Sequence, residues 1–210
     1  MDLADVVYGF GSFLWTSMFF PLLQVAGVLL LVLRKPAGWL VLLVEPVLSL
    51  VLMGVAGGFS LAVLVLPAVA AYGWWRWRRL SAGGGVLVHP VQRSDWLAAA
   101  GLMVLVLFFF GIEVLPMMLM HMPDPGAIAE SAVVSLLTPL LYLGLARGVI
   151  EAWWIGVTLS LMGLARLAAN ANAQVLFALD GIVFTVLLGV LSLYGWSRWR
   201  EAHAETAAST

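Results

Sequence analysis

The chain has 210 residues, of which 63% are hydrophobic and only 10% charged, with ten Lys and Arg against eleven Asp and Glu. An ordinary soluble domain carries about 25% charged residues. This composition therefore excludes a soluble globular protein, and the near-neutral balance gives no electrostatic basis for nucleic-acid binding. The sequence has no cysteine, which excludes disulfide bonds, thiolate catalysis and cysteine-ligated metals.

Apolar runs along the chain predict an all-α integral membrane protein with seven spans. A helix needs about 20 apolar residues to cross a bilayer, and continuous rather than alternating runs exclude a membrane barrel. The predicted spans are 14–34, 37–55, 58–77, 95–116, 128–147, 150–170 and 176–198. Residues 3–13 either extend the first span or lie along the outer interface. The acidic start at residues 1–5 is unlike a secretory signal, so we expect the first run to be retained.

Basic residues predict the orientation, because nine of the ten fall on one side of the membrane under this span count. These nine are Arg34, Lys35, Arg76, Arg78, Arg79, Arg93, Arg147, Arg198 and Arg200. The asymmetry predicts that this side is cytoplasmic, with the N-terminus outside and the C-terminus inside a cell inner (plasma) membrane. Nine tryptophans near the same ends are interpreted as an aromatic belt at the lipid headgroups. They are Trp39, Trp74, Trp75, Trp77, Trp96, Trp153, Trp154, Trp196 and Trp199.

An internal repeat divides the chain into two units. The pattern Y-G-W-x-R-W occurs at 72–77 and at 194–199, each time at the end of a span. Arg34 and Arg147 end the first and fifth spans, and Trp39 and Trp153 follow them. We therefore predict three-helix units at 14–77 and 128–199. Residues 78–127 form a cytoplasmic linker and a connecting fourth helix, and residues 200–210 form a polar cytoplasmic tail. One connecting helix makes the repeats parallel, a transporter design that holds substrate at the repeat interface.

The repeated motif, the step from arginine to tryptophan and the three-plus-one-plus-three layout resemble the PnuC-type vitamin transporters over about residues 20–200. The resemblance implies facilitated diffusion of nicotinamide riboside, with riboflavin, thiamine or a deoxynucleoside as alternatives carried by related branches. It also implies a cytoplasmic kinase that traps the substrate by phosphorylation.

Two polar residues at similar depth form the first half of the predicted substrate site. Glu45 lies roughly 12 Å and Gln24 roughly 15 Å above the cytoplasmic face at 1.5 Å per helical residue. A carboxylate beside an amide binds a polar or cationic solute, or a proton, and polar residues at membrane depth are site candidates by default. Pro46 leaves the carbonyl of Leu42 without its helical donor. The alternatives are proton-coupled transport through Glu45, or a protonated Glu45 that only ties two helices together.

Hydroxyl residues of the second unit form the other half of that site. They are Thr138, Thr158, Ser160 and Thr185. Each hydroxyl can donate and accept, which suits a sugar or ribityl chain, although such residues are also typical of tight helix contacts. Tyr142 lies nearer the cytoplasmic end, where it either stacks on a flat ring or anchors its helix.

The outer end of the sixth span carries Arg166, Asn170 and Gln174 on one stripe. Asp180 in the seventh span is expected at a similar depth, so we predict an Arg166–Asp180 ion pair, with Asn170 beside it, at the outer mouth. A pair that forms and breaks is a gate, whereas a permanent pair is a brace, and the sequence leaves both open.

Other chemistry is not predicted. Glu113, His121 and the methionines of 117–122 include ligand types that suit copper, but helical spacing would scatter them around the axis. No metal site and no cofactor is predicted. No Ser-His-Asp or HExxH arrangement is present, and the glycines at 83–85 lack the lysine of a phosphate loop, so no enzymatic activity is predicted. A non-transporting, membrane-embedded partner protein remains the alternative of a different class.

Overall fold

The computed structural model describes residues 19–55, 64–82, 88–114, 125–169 and 175–208, with side chains except at 49–55, 82, 113, 114, 125, 127 and 175–180. These residues form seven α-helices in the places that the apolar runs predict. They are α1 (Phe20–Val32), α2 (Ala37–Val55), α3 (Val65–Ala82), α4 (Arg93–Phe109), α5 (Pro125–Arg147), α6 (Ala152–Ala169) and α7 (Val175–Ala208). A π-helical turn, Phe110–Val114, continues α4.

Four segments in the described part of the chain are long and apolar enough to cross a membrane. They are Arg93–Ile112, Ile128–Arg147, Ala152–Ala169 and Gly181–Ala208. Two apolar stretches, Phe20–Val32 and Ala37–Leu48, are shorter. In α3 the last turns carry three arginines, and the apolar start of the predicted span, 58–63, lies outside the described residues. The chain is therefore a multi-pass helical membrane protein, and the count of seven crossings stays a prediction.

Six of the described helices close into a ring. Along the chain, α1 packs on α2 and α2 on α3, and in the same way α5 packs on α6 and α6 on α7. Between these two sets, α1 packs on α7 and α3 on α5. The first helix of each set thus contacts the third helix of the other, which is the packing that two equivalent units would produce. Helix α4 packs against α5.

The turns after α1 and α5 share one backbone conformation. Arg34 and Gly148 both adopt the left-handed region, with φ of 56° and 84°. The next amide in each turn donates to the carbonyl five residues back, from Lys35 at 2.8 Å and from Val149 at 2.9 Å. This is the Schellman C-cap. For a residue other than glycine, this left-handed conformation costs about 1–2 kcal/mol. Arg34 adopts it, so the surrounding structure must hold the turn in place.

Four tryptophans form a buried chain at the end of the bundle where these turns lie, which we call the basic end. In contact order the members are Trp39, Trp77, Trp199 and Trp153. Their successive ring centroids lie 5.7, 5.8 and 5.2 Å apart, and all four are fully buried. The prediction that these four belong to an interfacial belt is therefore wrong. Three other tryptophans, Trp75, Trp96 and Trp154, are exposed, as residues of an interfacial belt must be.

The glycine of the repeated motif makes room for this chain. A Cβ atom on Gly73 would come within 2.6 Å of the Trp39 ring, and one on Gly195 within 2.6 Å of the Trp153 ring. Real Cβ atoms essentially never approach a ring so closely, so glycine allows the third helix of each unit to pack this tightly on the second. The motif thus marks a helix contact that occurs twice.

Residues 88–92 fasten α4 to the turn between α5 and α6. The His89 amide donates to the Gly148 carbonyl at 3.0 Å, and the His89 carbonyl accepts from the Ile150 amide at 3.1 Å. On the first turn of α4, buried Asp95 accepts a charge-assisted hydrogen bond from the Nε of Arg147. These contacts fix the basic end of α4 against the second unit.

Helix α7 continues beyond its predicted end at 198, so most of the predicted polar tail is helical. The Nδ1 of His203 lies 3.1 Å from the Val88 carbonyl oxygen. The extension of α7 is therefore held against the same connecting segment that binds the α5–α6 turn.

Candidate functional site

A cavity of about 340 Å³ lies between the second unit and α1. Helices α5, α6 and α7 provide most of its wall, and α1 closes it with Gln24 and Val28. The site was predicted at the interface of the repeats. The cavity is lined by three helices of the second unit and by α1 of the first unit, and the location of the substrate site stays a prediction.

Five of the predicted substrate-binding residues line this cavity, namely Gln24, Thr138, Tyr142, Ser160 and Thr185. They come from four helices, and the fold brings them together around one space.

Thr158 is not among the residues that line the cavity. Its hydroxyl, on the exposed side of α6, donates to the Trp154 carbonyl at 2.9 Å. This is the local backbone bond that a helical threonine commonly forms.

Gln24 connects the cavity to Glu45. The Nε2 of Gln24 donates to Oε2 of Glu45 at 2.7 Å, so the two residues lie at one depth, as the helical rise predicts. Because one N–H of the amide is used here, its carbonyl oxygen and its second N–H are left for other partners. Glu45 does not line the cavity itself. Its hydrogen bond orients the Gln24 amide, which does.

Two aromatic residues define the cavity toward the basic end. The Tyr142 ring lies 6.2 Å from the Trp39 ring in an edge-to-face arrangement. Trp153 also lines the cavity, although it is 1% exposed. Its indole Nε1 is buried and has no hydrogen-bond partner among the described residues. The indole nitrogens of Trp39 and Trp199 are buried and unpaired in the same way, so Trp153 contributes the surface of its ring to the cavity wall rather than a hydrogen bond.

Trp153 was interpreted from its position near a span end as a headgroup anchor, and its place at the cavity was not predicted. The signal that could have found it is Gly195, since the glycine of the repeated motif indicates that a bulky side chain from the preceding helix lies against it.

Small residues bring α6 and α7 close together beside the hydroxyls. A Cβ atom on Gly156 would lie 2.5 Å from the Ser192 hydroxyl oxygen, and one on Gly189 would lie 3.2 Å from the Cβ of Ser160. Both serines are buried and line the cavity. Ser160 therefore has two roles, since it packs against α7 and also forms part of the cavity wall. Ser192 was missed, although it lies seven residues after Thr185 and so on the same face of α7.

An ion pair lies at the opposite end of the cavity from Trp153. The Nη1 of Arg166 is 3.7 Å from Oε1 of Glu130, and both residues line the cavity. Glu130 was missed by the sequence reasoning, although it lies two helical turns before Thr138 on one face of α5. Asn170 and Gln174 lie outside the described residues, as does the side chain of Asp180, so the predicted Arg166–Asp180 pair stays a prediction.

Comparisons with known proteins identify the family and the fold. The family model described as nicotinamide mononucleotide transporter matches residues 14–201. A solved structure described as a crystal structure of the vitamin B3 transporter PnuC is similar, with a TM-score of 0.62 and 16% sequence identity. That similarity covers 96% of this chain and 87% of the other chain, and at this identity it shows a shared fold. The search of curated proteins gives no match.

Proposed function

Because this chain belongs to the nicotinamide mononucleotide transporter family, we propose that it carries a vitamin-type solute across the membrane by facilitated diffusion. Nicotinamide riboside is the first candidate substrate, and riboflavin, thiamine or a deoxynucleoside are the alternatives. The proposed orientation places the basic end in the cytoplasm, since nine of ten basic residues belong to it. A cytoplasmic kinase would then keep the solute inside by phosphorylating it.

The observation that supports this proposal best is the composition of the cavity wall. Its volume of about 340 Å³ falls within the range of about 300–1,000 Å³ that is usual for small-molecule sites. Hydroxyls from Thr138, Ser160 and Thr185 suit the hydroxylated arm of a nucleoside or ribityl group. Tyr142 and Trp153 suit a flat ring at the other end of the cavity.

Glu45 distinguishes between the candidate solutes. A positively charged pyridinium or thiazolium ring would bind more tightly because of the carboxylate behind Gln24 and the faces of the aromatic residues. A neutral flavin or deoxynucleoside gains nothing from that charge. If Glu45 instead carries a proton, uptake will depend on a proton gradient.

Uptake into proteoliposomes tests the proposal. The purified protein is reconstituted, and entry of labelled nicotinamide riboside, thiamine, riboflavin and deoxynucleosides is followed without and then with a proton gradient. Uptake of one solute class above empty liposomes, independent of the gradient, is the expected result. No uptake of any solute on the panel would contradict the proposal and favour the non-transporting class.

A matched pair of threonine variants connects uptake to the cavity. Thr138→Val removes a hydroxyl from the wall, whereas Thr158→Val removes the same group from the exposed side of α6. We expect the first change to reduce uptake about fivefold, because a hydrogen bond contributes about 1 kcal/mol. The second change should leave uptake near the wild-type level. Equal effects of both changes would show that this cavity is not the transport site.

A further inference from the structure

The last turns of α3 carry two arginines that stack on tryptophans one turn earlier. The guanidinium carbon of Arg78 lies 5.3 Å from the ring centroid of Trp74, and that of Arg79 lies 4.2 Å from the ring of Trp75. Such contacts hold a guanidinium in place without neutralising its charge. Both arginines are exposed, and neither forms an ion pair within the described part of the chain.

A third arginine, Arg76, is turned away from this pair. Its Nη1 donates to the hydroxyl of Tyr72 at 3.3 Å, one turn back along α3. Arg76 keeps its charge, but Arg78 and Arg79 are the two arginines on this helix end that are exposed and stacked on tryptophan rings.

The second unit repeats this surface with one decisive change. Residues 72–79 and 194–201 differ at two of eight positions, where Ser197 replaces Trp75 and Glu201 replaces Arg79. Arg200 stacks on Trp196 at 5.4 Å, as Arg78 does on Trp74. Glu201, however, lies beside it and pairs with Arg198 at 3.4 Å. The same scaffold thus presents two stacked cations on α3, and on α7 one stacked cation beside a carboxylate.

We propose that the end of α3 binds the headgroup of an anionic phospholipid, with Arg78 and Arg79 holding its phosphate. The arginine fork matches phosphate oxygens, and half-exposed Trp75, 47% accessible, has the amphipathic character of a residue at headgroup depth. A bilayer presents anionic lipid to basic residues at that depth. The equivalent end of α7 lacks the second cation, so it is a weak site or none.

Lipid titration of the purified full chain in a neutral detergent tests this proposal. Bound lipid is counted by native mass spectrometry with phosphatidylglycerol as the probe and phosphatidylcholine as the neutral comparison. We expect one tight phosphatidylglycerol that weakens as salt is raised. The double variant Arg78→Gln/Arg79→Gln should lose about 30-fold in affinity, since each basic residue near an anionic surface contributes about fivefold.

The repeat supplies the matched control. Arg200→Gln removes an equivalent stacked arginine from the α7 end and should weaken binding at the tight site by much less than the double variant. Arg78→Lys/Arg79→Lys keeps both charges and removes the forks, so it should bind with intermediate affinity. This second pair of substitutions keeps the test usable where the glutamine variant is poorly folded.

Four results would overturn the proposal. The first is equal affinity for the anionic and the neutral lipid, and the second is unchanged binding by the double glutamine variant. The third is a loss of lipid affinity in Arg200→Gln as large as that in the double glutamine variant, which would mean that the α3 end binds lipid no better than the equivalent end of α7. Inorganic phosphate that displaces the lipid at equal concentration would assign a free-phosphate site instead.

Discussion

Replacing Gly195 with alanine tests the buried tryptophan chain. The new Cβ would lie 2.6 Å from Cε2 of the Trp153 ring and 2.8 Å from two further ring atoms. The ring has little freedom to withdraw, because it is fully buried and the Trp199 ring lies 5.2 Å away on an edge-to-face contact. The substitution therefore inserts a methyl group where the surroundings are closed.

Two opposing contributions decide the size of the effect. Alanine in place of glycine inside a helix stabilises by about 1 kcal/mol, and overpacking of a closed core costs about 1–3 kcal/mol. The net loss of unfolding free energy is then between zero and about 2 kcal/mol. Gly73→Ala makes the same close approach to Trp39 and should lose as much. The Cβ of Gly101→Ala meets no atom within 4 Å, so this variant should show only the stabilisation of about 1 kcal/mol from alanine in a helix.

Thermal unfolding of the three purified variants in one detergent, followed by tryptophan fluorescence, measures these differences. Gly195→Ala and Gly73→Ala should unfold below the wild type, and Gly101→Ala at or above it. At equal amounts of folded protein, Gly195→Ala should also slow uptake more than Gly73→Ala, because Trp153 lines the cavity. If Gly195→Ala were as stable as Gly101→Ala, the tryptophan chain would have room to adjust and our reasoning about it would fail.

Three further predictions follow from the site and the orientation. Glu45→Gln keeps an acceptor for the Gln24 amide, so it should leave the unfolding temperature almost unchanged, and it should lower uptake of a cationic solute because the attraction between the carboxylate and the positive ring is lost; unchanged uptake would remove Glu45 from the site. Exchanging Arg166 and Glu130 in a double-mutant cycle should restore part of the uptake that either single change loses, with a stability effect below about 1 kcal/mol because the pair is largely exposed; additive losses would show that the two residues do not act as a pair. Protease protection of terminal tags should report opposite sides, and tags on the same side would show that the span count is wrong.

The helices could be predicted from sequence because apolar runs of sufficient length have few other stable structures in a membrane protein. The depth of Gln24 and Glu45 was predictable for a similar reason, since the rise of a helix is fixed. Their hydrogen bond at 2.7 Å shows that the two side chains also face each other, which the residue counts along the helices do not give.

The buried tryptophans were not predicted, because a tryptophan near the end of a span has the same local sequence in a belt and in a core. What separates Trp39 from exposed Trp154 is a glycine in another helix, and that pairing depends on how α2 meets α3. The role of His89 escapes sequence reasoning for the same reason. Its backbone partners are Gly148 and Ile150, about sixty residues away.

The continuous course of α7 has a mechanical consequence. From Ser192 at the cavity, the helix runs on to Ala208, a further distance of about 24 Å at 1.5 Å per residue. A tilt of α7 that reshapes the cavity would move its far tip through a larger arc, and His203 would transmit that displacement to the connecting segment at Val88. A spectroscopic probe near the tip would therefore report a tilt of α7 as a displacement larger than the one at the cavity.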